Sequence, residues 1–145
     1  MKQTFELPVP PSTNDLWEIR STVKGGKVRY FQVRTAKYKR WAQEASVMLC
    51  IQRVKSVPSP LRVGISIVAG KGMTRKRDAD NFLKGVLDLC VSARLIEDDS
   101  LMHVVGVEVE FIASGKPGQY VKAGQAYCLV ELSEAAKQFP QTRQA

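Results

Sequence analysis

Phe5, Leu7 and Val9 alternate as in a short strand with one buried face, and Pro8, Pro10 and Pro11 then end it. Ser12-Thr13-Asn14 then reads as a turn or loop. Residues 20–34, with Gly25-Gly26 inside, read as a flexible basic loop or ribbon. Thr35 is a helix N-cap candidate, and the spacing predicts a helix from Ala36 to about Val54. Tyr38, Trp41, Ala45, Met48, Leu49 and Ile51-Gln52 follow its apolar side, and Lys37, Lys39, Arg40 and Gln43 its polar side. Pro58 and Pro60 break it. Leu61, Val63, Ile65 and Ile67 alternate in a second strand that stops at Gly70-Lys71-Gly72.

A second helix is predicted from about Asn81 to Ala93, with Phe82, Leu83, Val86, Leu87 and Cys90 buried. Lys84 and Asp88, four apart, share its other face. The turn Glu97-Asp98-Asp99-Ser100 leads into a strand in which Val105, Val107, Val109 and Phe111 alternate with Gly106, Glu108 and Glu110. Gly115 to Gly124 reads as a hairpin connection to a last strand, Tyr127 to Leu132. This order predicts an α+β two-layer sandwich: a mixed or antiparallel sheet with two helices on one face. One domain is expected over residues 1–133, with a polar, flexible tail at 134–145.

Composition narrows the class. At 145 residues, with 44% hydrophobic and 25% charged positions, the chain fits one globular domain with a real core. It has no apolar run long enough to span a membrane, and its first residues lack the apolar core of a signal peptide, so it reads as cytoplasmic. Cys50, Cys90 and Cys128 are far apart in apolar settings and read as buried reduced thiols, not zinc ligands. His103, the single histidine, reads as a surface or strand-packing residue. No GxGxxG or GxxxxGK[ST] sequence suggests a nucleotide cofactor.

Charge adds the informative contrast. The net charge is +8 and the pI about 9.6, which suits a polyanionic partner. Residues 20–40 hold eight Lys or Arg and no acid, and residues 71–77 hold four more. Yet six of the 14 acidic residues fall between Asp78 and Asp99, directly behind Arg75-Lys76-Arg77. Carboxylates gathered beside a basic run suit a divalent metal next to a nucleic-acid phosphate. Asp78 and Asp80, two apart, share one side if the chain is extended there. Asp98 or Asp99 could add a third oxygen ligand, and Lys84, one helical turn past Asp80, would point to the same place. Each residue also has a plain structural reading. Asp80 could cap the helix, Asp78 could neutralise Arg77, Lys84 and Asp88 could form an exposed pair, and Asp98-Asp99 could be a turn. The conjunction points to a metal-dependent phosphodiesterase.

Three segments also resemble the RusA-like Holliday junction resolvases of bacteria and their prophages. Leu7-Pro8-Val9-Pro10-Pro11-Ser12-Thr13-Asn14 looks like that family's LPxPPSxN segment. Arg77-Asp78-Ala79-Asp80-Asn81-Phe82-Leu83-Lys84, with Asp88, looks like its RDxDNxxKxxxD signature, and Leu95 to Asp99 like its DD turn. The resemblance implies that Asp78, Asp80 and Asp99 bind Mg²⁺ (with Mn²⁺ as a substitute), that Lys84 is catalytic and that Asp98 supports them. It implies DNA contacts from Ser12, Thr13, Asn14 and Asp15, and from Thr74, Arg75, Lys76, Arg77 and Asn81. It further implies a homodimer acting on branched DNA, cutting two opposed strands of a four-way junction to leave 5′-phosphates. A longer basic segment between Glu18 and Thr35, and a sparser arginine run before Asp78, depart from the family and bear on junction preference more than on catalysis. The competing reading is a junction- or single-strand-DNA-binding protein without nuclease activity.

Overall fold

Two faces of opposite character decide the architecture. In the computed structural model, which describes residues 1–73, 77–113 and 115–136, a four-stranded mixed sheet has the order β1-β6-β4-β5. Its strands are β1 (Lys2–Pro8), β4 (Leu61–Val68), β5 (Val104–Ile112) and β6 (Tyr127–Glu134). Registry aligns Phe5, Val130, Ile65 and Val109 across the sheet, with Leu7, Cys128 and Ile67 in a parallel row. These and their period-two neighbours Leu61, Val63 and Leu132 form one apolar face. Helices α1 (Ala36–Ile51) and α2 (Leu83–Ser92) cover it with Trp41, Ala45, Leu49, Val86, Leu89 and Cys90. The opposite face carries Thr4, Ser66, Glu108, Glu110 and Glu131, and no helix among the described residues covers it. The predicted two-layer α+β sandwich is the observed one.

The connection to the last strand differs from the prediction. β5 and β6 do not form a hairpin: β6 pairs with β1 and β4, both antiparallel, and not with β5. β5 instead pairs parallel with β4, because α2 lies between them in the chain and carries it back across the sheet. Buried Glu6 helps to hold this connection, its carboxylate accepting from the backbone of Gln119 at 3.0 Å and Tyr120 at 3.2 Å.

Helix boundaries moved by a few residues. Thr35 caps α1, its hydroxyl accepting from the Tyr38 amide at 3.1 Å. The helix ends at Ile51, three residues earlier than expected, as Arg53 turns left-handed at φ 54°. Ile51 and Cys50 are exposed, so Cys50 is not the buried thiol expected. Burial pushes the thiols of Cys90 and Cys128 up to about 12, which makes them poor nucleophiles. No described helix is long and apolar enough to cross a membrane.

The predicted basic ribbon at 20–34 is a regular hairpin. β2 (Trp17–Lys24) and β3 (Lys27–Arg34) pair antiparallel from Trp17 with Arg34 to Lys24 with Lys27. Gly25 and Gly26, at φ 61° and 75°, supply the two left-handed residues that a tight two-residue turn requires. The hairpin joins no strand of the main sheet.

Candidate active site

Lys84 is the centre of the site. It lies on the first turn of α2, and its ammonium meets Asp88 Oδ1 and Asp99 Oδ2, both at 2.9 Å. Asp88 sits one turn further along the same helix, the spacing at which side chains meet. Asp99 returns to the helix because the chain beyond α2 is pinned. Buried Leu95 and Ile96 plug into the core, and the backbone of Leu95 bonds to Cys90 at 2.9 Å and Val57 at 2.9 Å. The hydrogen bond from Lys84 is the main cause that holds the Asp99 carboxyl below its ordinary value. Reciprocally, Asp99 first and Asp88 second raise Lys84, so the ammonium stays charged.

Asp78 precedes, and Asp80 lies within, a 3₁₀ turn, Ala79–Phe82, that leads directly into α2. Asp78 is extended and occupies the N-cap position, yet its side chain makes no capping bond. Asp80 lies inside the turn and does not cap the helix. The chain is therefore not extended across the pair, and the same-side argument from strand geometry does not apply here. Both carboxylates are exposed and neither has an ion-pair partner among the described residues. No group of three potential ligand side chains is gathered in metal-binding geometry among the described residues. In donor chemistry, exposed unpaired carboxylates suit a hard divalent cation that keeps most of its waters. Asp98 is exposed beside Asp99.

The expected DNA-contacting residues fall into three groups. Ser12, Asp15 and Arg77, with Pro10, Lys37 and Trp41, line a cleft of about 460 Å³. Ser12 caps the 3₁₀ turn Thr13–Asp15, and Thr13 and Asn14 stand exposed on it. Arg77 has a scaffolding task in addition: it donates to Pro10 O at 2.8 Å and Asn81 O at 3.1 Å and stacks 4.0 Å from the Phe82 ring. It thereby staples the proline segment to the turn that bears Asp78 and Asp80. Gly85 permits the same close approach, since a Cβ there would stand 3.1 Å from Pro10. Thr74, Arg75 and Lys76 lie outside the described residues.

One residue of the site escaped the sequence reading. Arg34, at the end of β3, donates to Asp88 Oδ2 at 2.8 Å. Its guanidinium lies 3.8 Å from the Trp17 ring centroid and 4.3 Å from that of Tyr38. Asp88 is thus the shared, 10% exposed carboxylate between Arg34 and Lys84, not a solvent-facing partner of Lys84 alone. Arg34→Met is expected to destabilise the fold by about 1–3 kcal/mol, because Asp88 loses a charged hydrogen bond in a largely buried place. A urea titration checks this; an unchanged midpoint would mean that Arg34 merely decorates the site. His103 stands apart, bonded to Ser59 Oγ at 2.9 Å, consistent with a packing role.

Comparison with known proteins supplies the family. The family model for endodeoxyribonuclease RusA matches residues 8–123, which include the proline segment, Asp78, Asp80, Lys84, Asp88 and Asp99. The crossover junction endodeoxyribonuclease rusA of Enterobacteria phage HK97 is 34% identical over 96 residues, 66% of this chain and 72% of the relative. With the match covering most of the chain and all of the carboxylate–lysine site, this protein belongs to the RusA endodeoxyribonuclease family.

Proposed function

We propose that this chain is an endodeoxyribonuclease that resolves four-way DNA junctions, working as a homodimer that nicks two opposed strands and leaves 5′-phosphates. The observation that carries the reading is Lys84, fixed between Asp88 and Asp99 one helical turn beyond the segment that bears the exposed Asp78 and Asp80, in a chain of the RusA family. Asp78, Asp80 and Asp99 would hold Mg²⁺, or Mn²⁺ in its place. The chemistry supplied by a divalent metal held there would be a lowered pKa of bound water and neutralised charge on the phosphate.

The chain's own groups do the rest. The Lys84 ammonium stabilises charge that develops on the phosphate oxygens. Asp88 and Arg34 hold the ammonium where it is needed. The cleft at Ser12, Asp15, Lys37 and Arg77 places cations beside the site for phosphate contact. A two-fold dimer matches the two-fold symmetry of a junction and presents two sites to it. The inactive DNA-binding reading finds no support, since the family is one of endodeoxyribonucleases.

The test is cleavage of a labelled four-way junction against a linear duplex of the same sequence. The expected result is paired nicks in the junction with Mg²⁺, none with EDTA, and an uncut duplex. A junction left intact in both Mg²⁺ and Mn²⁺, or a duplex cut equally fast, would rule the proposal out.

A further inference from the structure

Apart from Arg34 at its stem, the β2–β3 hairpin has no task in the chemistry described so far, yet it is rich in cations. Alternation along the paired strands sorts its side chains onto two faces. One bears Arg20, Lys24, Lys27 and Arg29, with Thr22 and Phe31 between them. The single acid on that face, Glu18, is bound to Arg20 at 2.9 Å near the stem. Lys24, Lys27 and Arg29 therefore form a cluster with no ion pair among the described residues, and all three are exposed. The other face holds Ile19, Val23, Val28 and Tyr30, which are 71%, 70%, 54% and 75% exposed.

The stem is held firmly while the tip projects. Thr35 N bonds to Leu16 O at 3.2 Å, the Thr35 hydroxyl bonds to Asp15 O, and Lys37 pairs with Asp15 at 3.3 Å. Arg34 ties the same stem to Asp88 and so to Lys84. Eight residues at about 3.3 Å each give a ribbon roughly 25 Å long. Lys24 and Lys27 pair at the end of the ribbon opposite the Trp17–Arg34 stem pair, with Arg29 two positions nearer the stem. A two-stranded ribbon is also narrow enough to enter a major groove.

We propose that this ribbon is a second DNA-holding element, which grips the sugar-phosphate backbone of a duplex arm through Lys24, Lys27 and Arg29. The inference rests on the reading of the chain as a nuclease of branched DNA. Charge complementarity is the argument for this occupant: three unpaired cations on one face suit a line of phosphates, and they oppose the same face of a second copy. Because the stem is joined to Asp88, an arm held by the ribbon has a fixed position relative to Lys84.

The experiment measures junction affinity across a salt series with the cutting-deficient Asp80→Asn protein and with the same protein carrying Lys24→Ala, Lys27→Ala and Arg29→Ala. Removal of three phosphate contacts is expected to reduce the steepness of log K against log salt by about 2–3, with an affinity loss of at least about tenfold at low salt. Charge-conserving Lys24→Arg with Lys27→Arg is expected to keep the parent slope. An unchanged slope in a triple-alanine variant with the parent circular dichroism and melting temperature overturns the inference. So does a changed molecular mass by light scattering at unchanged slope, which assigns the ribbon to contact between copies. Failure of the Asp80→Asn protein to bind the junction at all tells instead against the junction reading on which the inference stands.

Discussion

Asp80→Asn is expected to bind a four-way junction as tightly as the unaltered chain and to cut it on the order of 10²–10³-fold more slowly in Mg²⁺. The amide has the shape of the carboxylate but not its charge, so a hard cation held as proposed would lose one of few ligands. Asp80 is exposed, sits on the 3₁₀ turn before α2 and has no ion-pair partner among the described residues. Its replacement therefore leaves no buried charge unpaired, and unfolding free energy should stay within about 0.5 kcal/mol. Removal of a negative charge beside the DNA opposes no phosphate contact, so affinity should hold or rise slightly. Single-turnover cleavage and a gel-shift titration on the same junction separate the two quantities. Nicking at the unaltered rate would sink the assignment of Asp80 as a ligand, and a parallel loss of affinity would make it a DNA-positioning residue.

Much of this arrangement was legible in the chain, and what was not has a physical reason. Period-two alternation located β4 through Leu61, Val63, Ile65 and Ile67, and each proved buried. The same alternation in β5 says which side chains share a face but not which strand lies alongside. The hairpin expected between β5 and β6 rested on chain proximity alone, whereas the sheet places β6 between β1 and β4. Val107 and Phe111 lie on the core side yet remain 42% and 48% exposed, because β5 is an edge strand beyond the reach of the helices. Within the site, Lys84 and Asp88 follow from helical spacing, and Asp99 from a turn that could fold back. Arg34 could not be found this way. It meets Asp88 across 54 residues, and no local period encodes such a contact. Its one trace in the sequence was position, the last basic residue of the ribbon before the Thr35 cap. The condition of an extended chain across Asp78 and Asp80 is not met, for a local reason too: Ala79–Phe82 already turns as 3₁₀ helix.

Lys84→Ala should separate catalysis from scaffolding. The ammonium bridges Asp88 and Asp99 at 2.9 Å each, but its side chain is 49% exposed, so the two ion pairs contribute little to folding. Asp88 keeps Arg34 as a partner after the change, and Asp99 is open enough to be hydrated. The fold should therefore survive with a loss of about 1 kcal/mol or less. Cleavage should fall on the order of 10²–10³-fold, the usual consequence of removing one group that stabilises charge in the transition state. Affinity for the junction should change only a few-fold, since one phosphate contact among many is lost. Lys84→Arg restores the charge but not the compact ammonium that fits between two carboxylates, so only partial recovery is expected. The contrast with Arg34→Met is the informative one. If Lys84 acts on the reacting phosphate, its removal lowers the cleavage rate with the melting temperature nearly unchanged, while Arg34→Met lowers the melting temperature first. Equal losses of stability, binding and cutting in Lys84→Ala would make this lysine a structural bridge and move the search for the charge-stabilising group to the basic residues before Asp78.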